Sequence, residues 1–294
     1  MHKQTIEKVM EIIHFHGTPI WGNKGEVLDV CVRNGGAFVS WARPDQIKKC
    51  LGVADSIGID NGAFSHWKAG KYPSDWTPFY KWLLQYYHHE KVKFFIIPDV
   101  IEGGEEDNDR LISQVPSMFL DKAVPVWHLH ESIERLVRLC KEWARVAFGS
   151  SGEYSTIRTK KWHSRMREAF EAIKDIDVKI HGLRMLDGRV LGNYPLDTAD
   201  STNLACNVPK WRVKYPDIGL HILMRSDSFS YLSKEFGLPI PSRVYGLHDL
   251  GGLIEKEIDK SELLIHRAAV LRGAVEKVTP PTKEQWYERI QSTA

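Results

Sequence analysis

One recurring pattern constrains this chain more than any other: a short apolar run stops at a polar residue or glycine, and a helical pattern follows. Asp55-Ser56-Ile57-Gly58-Ile59 stops at Asp60-Asn61-Gly62-Ala63-Phe64, before a helix predicted at about 75–89 bearing Phe79, Trp82, Leu83 and Tyr86. Phe94-Phe95-Ile96-Ile97-Pro98 stops at Asp99, before a helix at about 105–120. Val124-Pro125-Val126-Trp127 stops at His128-Leu129-His130, and Val146-Ala147-Phe148 at Gly149-Ser150-Ser151-Gly152, with helices at 131–143 and about 158–174 behind them. Val178-Lys179-Ile180 stops at His181, and the run approaching Ala199-Asp200-Ser201-Thr202-Asn203 closes the series. Apolar runs without alternation are the mark of parallel strands covered on both faces. Repeated strand–helix units predict an α/β chain folded as a (β/α)8 TIM barrel, whose strands open their carboxyl ends onto one catalytic face. A doubly wound sheet is the alternative, but its glycine-rich phosphate loop is missing.

The rest of the chain is fitted around that core. We predict a single domain over 1–294, with the barrel at about 26–258. An extra N-terminal helix at 3–14 and C-terminal helices within 260–290 flank it. Segments 26–33 and 36–42 read as strands, and Asn34-Gly35-Gly36 between them as a hairpin turn. Leu220-His221-Ile222-Leu223-Met224 reads as a further strand. His14-Phe15-His16 reads as the exposed end of the first helix; on a strand, the same pair could present two imidazoles to a metal.

Composition limits what the barrel does. The net charge is +2, so any nucleic-acid surface must be local. Ten Trp residues are more than a core readily hides, and some are expected to line a cleft. Cys31, Cys50, Cys140 and Cys206 form no CxxC, which argues against structural zinc and against a disulfide framework and fits a reducing cytoplasm. No apolar run reaches about 18 residues and no signal-peptide pattern opens the sequence, so no membrane partner is expected.

Asp60, Asp99 and Asp200, at three strand ends, would converge at the barrel mouth. There one carboxylate can attack, another can move a proton on a raised pKa, and a third can hold a polar ligand edge. That division of labour suits double displacement at a glycosidic carbon. The simpler reading of Asp200 is a helix cap, since Asp-Ser-Thr-Asn is good capping chemistry.

Asp60-Asn61-Gly62-Ala63-Phe64-Ser65 resembles the Asp-Ser-Gly-Gly-Phe-Gln segment of tRNA-guanine transglycosylases. In that superfamily the Asp is the acid/base residue and the Phe stacks on the base. Asp99 is similar to the family's second, base-reading Asp, and Trp127-His128 falls where the family has a base-contacting Gln. Phe148-Gly149-Ser150-Ser151-Gly152-Glu153 resembles its Gly-Gly-Leu-x-x-Gly-Glu loop, and Asp200 corresponds to its nucleophile. The resemblance covers about residues 35–205. It implies catalytic Asp200 and Asp60, with Asp99, Phe64, Trp127, His128, Gly149, Ser150 and His181 around the substrate. The family's zinc cysteine cluster is missing, since Cys206 stands alone. A compact chain without that subdomain looks more like the DpdA-type DNA transglycosylases of phages and bacterial islands. These exchange guanine in DNA for a 7-deazaguanine such as 7-cyano-7-deazaguanine, with no cofactor.

Basic clusters would supply the backbone track. Arg158, Lys160, Lys161 and Arg165 lie in a stretch that also holds Trp162, and Lys210 and Arg212 flank Trp211. Cations interleaved with aromatics suit phosphate contact and base stacking. The alternatives are a tRNA-directed enzyme, a non-catalytic nucleic-acid-binding barrel, and a metal-dependent amidohydrolase-like barrel using His14, His16, His128, His181 and a late Asp.

Overall fold

A computed structural model of the protein describes residues 13–209 and 260–292. All its strands run parallel in one nine-stranded sheet. They are β1 (His14–Gly17), β2 (Gly36–Ser40), β3 (Ser56–Asp60), β4 (Val92–Ile96), β5 (Ala123–Val124), β6 (Val126–His128), β7 (Arg145–Gly149), β8 (Lys179–Gly182) and β9 (Thr198–Ser201). The sheet order is β5-β4-β3-β2-β1-β9-β8-β7-β6. Its two edges are consecutive in the chain, because only Pro125 separates β5 from β6. Proline cannot donate to a ladder, so the strand divides its pairing there, β5 with β4 and β6 with β7. The result is a nearly closed, barrel-like parallel sheet, consistent with a TIM-like architecture.

Helices occupy most of the connections: α1 (Glu26–Val32), α2 (Ile47–Val53), α3 (Ala63–Lys68), α4 (Thr77–Tyr87), α5 (Glu105–Ser113), α6 (Ile133–Glu142), α7 (Lys160–Ala172), α8 (Gly188–Leu191) and α9 (Asn203–Asn207). Two more helices, α10 (Lys260–Glu276) and α11 (Lys283–Gln291), lie near the C-terminus. Helix α6 shows why such elements form where they do. Ser132 caps it by accepting from the Arg135 N–H, and Leu136, Leu139 and Cys140 are buried along one face.

Strand alternation sorts side chains between two cores. Phe15, Phe38, Phe94, Ile96, Val124, Val126 and Ala147 fill the inside of the cylinder. Phe15 and Phe94 meet edge to face with centroids 5.2 Å apart. Gly58 on β3 makes room for this plug: a Cβ there would lie 2.7 Å from the Phe38 ring and 2.9 Å from Phe94. Ile57, Ile59 and Phe95 point outward, against the helices.

Several expectations are corrected. Segment 26–33 is not a strand: its Val27, Leu28, Val30, Cys31 and Val32 form the buried face of α1. The hairpin at Asn34-Gly35-Gly36 is therefore a helix-to-strand connection, and β1 and β2 run parallel. The sheet starts at His14, so the barrel core opens before residue 26, and the histidine pair belongs to a buried strand rather than a helix end. The helix expected at 105–120 stops at Ser113, with Pro116 and a 3-10 turn at Ser117–Lys122 after it. Residues 1–12, which hold nearly all of the expected N-terminal helix, and the strand expected at 220–224 lie outside the described residues.

The outward faces of His14 and His16 are tied to the C-terminal helices. His16 Nε2 lies 2.9 Å from Glu276 Oε1, and His14 Nε2 hydrogen-bonds with the Val278 carbonyl at 2.9 Å. Arg272 is fully buried. It donates to Glu276 and to the carbonyls of Val30 and Arg33, which closes the C-terminal end of α1 with a cation. Burial alone would raise the Glu276 carboxyl, but Arg272 and His16 outweigh it and hold it below the ordinary carboxylate range.

Candidate active site

Alternation along the strands decides which strand-end residues face the interior. Ser40, Asp60, His128 and Asp200 end inward-facing rows; Trp127 and Ala199 point the other way. The carboxyl ends of the strands bring Asp60, Asp99 and Asp200 to one rim, close enough that the charges on Asp200 and Asp99 both act on Asp60.

Asp60 is half-buried at the end of β3. Its carboxyl is pushed up from 3.8 to about 7, mainly by burial, with the negative charges of Asp200 and Asp99 adding to it. The hydroxyl of Ser40, its register partner on β2, and the backbone N–H of Gly62 act in the opposite sense. At neutral pH this carboxyl is poised to give or take a proton.

Asp200 lies within β9, not at a helix cap. Its Oδ1 accepts from the Arg184 backbone N–H at 3.0 Å, and its own carbonyl accepts from the Leu186 N–H at 2.9 Å. The loop after β8 thus folds over the carboxylate, and Arg184 takes a left-handed conformation (φ 60°) to do so. Beneath it, His181 Nε2 lies 3.4 Å from Asp200 Oδ1, and Nδ1 lies 2.8 Å from Thr198 Oγ1. Burial lowers the His181 pKa despite the opposing pull of Asp200, so the ring is neutral. A neutral ring fits both partners if the Thr198 hydroxyl donates to Nδ1 and the Nε2 proton faces Asp200. His181 is fully buried among Phe15, Phe38 and Phe94. The residue expected to touch substrate lies below Asp200, buried away from the rim, with Nε2 3.4 Å from the carboxylate.

Asp99 follows β4. Its Oδ1 accepts from Asn61 Nδ2 at 2.7 Å, its Oδ2 lies 2.9 Å from His128 Nε2, and its carbonyl accepts from the Tyr72 hydroxyl at 2.6 Å. Asn61 also accepts from the Ala63 N–H, which anchors the start of α3. Behind His128, Ser151 Oγ lies 3.0 Å from its Nδ1 and 2.9 Å from His130 Nδ1. Gly149 is required by this packing, since a Cβ there would lie 2.8 Å from His128 Nδ1.

The other expected site residues divide. Phe64, in the first turn of α3, is half-buried, and the Arg184 guanidinium stacks 4.4 Å from its ring centroid. Trp127 is fully buried on the outer face, packed on Phe148 with its Nε1–H donated to the Ser132 carbonyl. It belongs to the core, because neighbours on a strand face opposite ways. The Ser150 hydroxyl accepts from Trp162 Nε1 at 2.9 Å, which leaves Ser151 as the residue of that pair on the His128 side.

On the basic stretch, Lys160 and Lys161 are exposed at the start of α7, and Lys161 pairs with Glu153. Arg158 is exposed, with Nη1 3.7 Å from Asp187. Arg165 is committed to the carbonyls of Leu129 and Glu131 and to Glu168, and Trp162 is buried, so neither the arginine nor the tryptophan is presented to a polymer. Lys210 and Arg212 lie outside the described residues. The amidohydrolase-like set does not assemble, because His14 and His16 face away from the mouth. Among the described residues no group of three or more His, Cys, Asp or Glu is arranged to hold a metal ion, and no helix is long and apolar enough to cross a membrane.

Sequence reasoning missed Ser40, Asn61, Ser151, His130 and Arg184. Asn61 and Ser151 sit inside motifs already singled out, so adjacency was a usable signal. Ser40 and Arg184 carried none, because register and loop path alone bring them to the rim. Comparison with protein-family models, curated proteins and solved structures finds no match for this chain.

Proposed function

We propose that this chain is a glycosyl-transferring enzyme that works by double displacement at a sugar C1′. More narrowly, we propose that it exchanges guanine in DNA for a 7-deazaguanine base. The observation that carries the reading is the unequal treatment of three neighbouring carboxyls. Asp200 is hydrogen-bonded as an acceptor and backed by a neutral histidine, whereas Asp60 is pushed up to about 7 beside it. Environments that split the pKa values of paired acids assign the roles of nucleophile and proton carrier.

In the proposed reaction an Asp200 oxygen attacks C1′ as the bond to the guanine nitrogen breaks. The Asp60 proton passes to the departing base. The incoming 7-deazaguanine then gives a proton back to Asp60 as its nitrogen displaces Asp200 from C1′, so atoms and charge balance and configuration is retained. The target base must first leave its stack, at a cost of a few kcal/mol. The face of Phe64, on which a planar cation already stacks, offers part of the compensation, and Asp99 offers acceptors for the amino edge of a purine. The exposed cations Arg158, Lys160 and Lys161 supply phosphate contacts. A tRNA substrate is the alternative that the test must separate.

The test is incubation with labelled guanine or 7-cyano-7-deazaguanine and either DNA or tRNA. Label entering DNA, together with a denaturation-resistant protein–DNA adduct lost in Asp200→Asn, is the expected result. Label entering tRNA would replace the polymer assignment. Exchange at the wild-type rate by Asp200→Asn, or no label in either polymer, would overturn the reading.

A further inference from the structure

We infer that the barrel carries a second binding site, at the end opposite the three acids, which takes a free nucleotide through its phosphates. The sheet parts below Pro125, where β5 pairs with β4 and β6 with β7. A cavity of about 630 Å³ opens there, within the roughly 300–1,000 Å³ of small-molecule sites. One cation stands at or beside the start of each of four strands around it: Lys93 in β4, Lys122 just before β5, Arg145 opening β7 and Lys179 opening β8. Arg145 and Lys179 are register partners and stand side by side. Lys93 and Lys122 stand on the other side of the gap. Parallel strands all start at one end of the barrel, so these four charges gather there while the acids gather at the other.

The charge balance at this end favours an anion. Two acids share the cavity wall, and each has a partner of its own: the Tyr87 hydroxyl donates to Asp121, and Glu142 lies 3.6 Å from Arg138. The two lysines are met by neutral acceptors. Lys93 Nζ donates to the Glu90 carbonyl at 2.9 Å, and Lys122 Nζ to the Tyr87 carbonyl at 2.7 Å. Burial lowers the Lys122 pKa; Asp121 opposes the shift and the charge of Lys93 adds to it. A phosphate between these ammoniums would relieve their repulsion. Across the gap, Arg145 and Lys179 both act on Asp197, whose Oδ2 accepts from the Ile180 N–H at 2.7 Å and whose carboxyl burial pushes up. The cavity's shape and walls select an organic phosphate over a bare ion. An inorganic phosphate would fill a small part of it. Phe94, Trp143 and Leu120, the last 47% exposed, make the wall apolar. The Arg145 guanidinium lies 4.8 Å from the Phe94 ring centroid, so cation and aromatic ring form one surface. A planar base can rest on the apolar wall while its phosphates reach the four cations.

The site stands apart from the reaction proposed above, and its test needs no polymer substrate. The experiment is titration calorimetry of the full-length protein with ADP, and with inorganic pyrophosphate and adenosine as its two halves. Saturable binding of ADP, tighter than either half, is expected. Lys93→Gln combined with Lys179→Gln changes two exposed residues and should weaken ADP by about tenfold or more. Ala144→Trp, at an exposed position on the cavity wall, should block ADP without changing the charge. Phe64→Ala, at the opposite end of the barrel, should leave ADP binding unchanged. No saturable ADP binding, pyrophosphate bound as tightly as ADP, or ADP binding lost in Phe64→Ala and kept in the cavity variants would overturn the site. A DNA oligonucleotide that displaces ADP at lower concentration than ADP itself binds would overturn the assignment to a free nucleotide. None of these results depends on whether Asp200→Asn abolishes base exchange, so the site and the reaction fail separately.

Discussion

Asp60→Asn removes a carboxyl whose ionisation the fold resists, and its effect on stability has a definite sign. A carboxyl raised in the folded state holds its proton while the unfolded chain has already released one, so stability falls as pH rises between the two values. For Asp60 the window runs from 3.8 to about 7. At about 1.4 kcal/mol per pH unit the full span corresponds to roughly 4 kcal/mol. Because the side chain keeps some contact with solvent, about 2 kcal/mol is the working figure. For a chain of this size that is a Tm difference of about 3 °C. Thermal or urea unfolding of both proteins from pH 4 to 9 is the assay. The asparagine variant should gain on wild type as pH rises through the window, level off above about pH 8, and be catalytically dead throughout. A stability difference that stays flat from pH 4 to 9 would mean that Asp60 ionises normally, and the division of labour among the three acids would go with it.

Two further outcomes follow from packing and surface charge. Gly149→Ala forces His128 aside, because the new Cβ meets Nδ1 at 2.8 Å; urea unfolding should show a loss of about 1–3 kcal/mol, and an unchanged midpoint would mean His128 has room to give. Reversing charge at Lys160 and Lys161 should weaken DNA binding and flatten its dependence on salt, whereas an unchanged salt slope would remove this face from the polymer track.

Much of the barrel was legible because a parallel strand covered on both faces must be apolar throughout, and the chain breaks each such run at the rim. Less legible were elements whose character depends on what lies outside them. Segment 26–33 is rich in β-branched residues and reads as a strand, yet its burial between the sheet and α10 makes it a helix; propensity yields to tertiary packing there. His14-Phe15-His16 looks too polar for a buried strand. It becomes one because the C-terminal helical segment supplies Glu276 and the Val278 carbonyl to its histidines, and nothing local announces partners more than 250 residues away. At the rim, stopping points located the acids, but strand alternation separated Trp127 from His128. The depth of the barrel took His181 away from the rim.

The arrangement around the three acids explains why they can differ while sharing one rim. Like charges this close raise one another, and each is either offset or left protonated. Asp99 accepts from the Asn61 side-chain amide. Asp200 is offset by the Arg184 backbone N–H and by the Nε2 proton of His181. Asp60 has only the Ser40 hydroxyl and the Gly62 N–H, both neutral, against burial and two negative neighbours. Of the three, Asp60 is the carboxyl that its surroundings push up, to about 7. It also follows that removing a neighbour should relax Asp60: in Asp200→Asn the carboxyl at 60 should ionise at lower pH than in wild type, with burial still holding it above an ordinary aspartate.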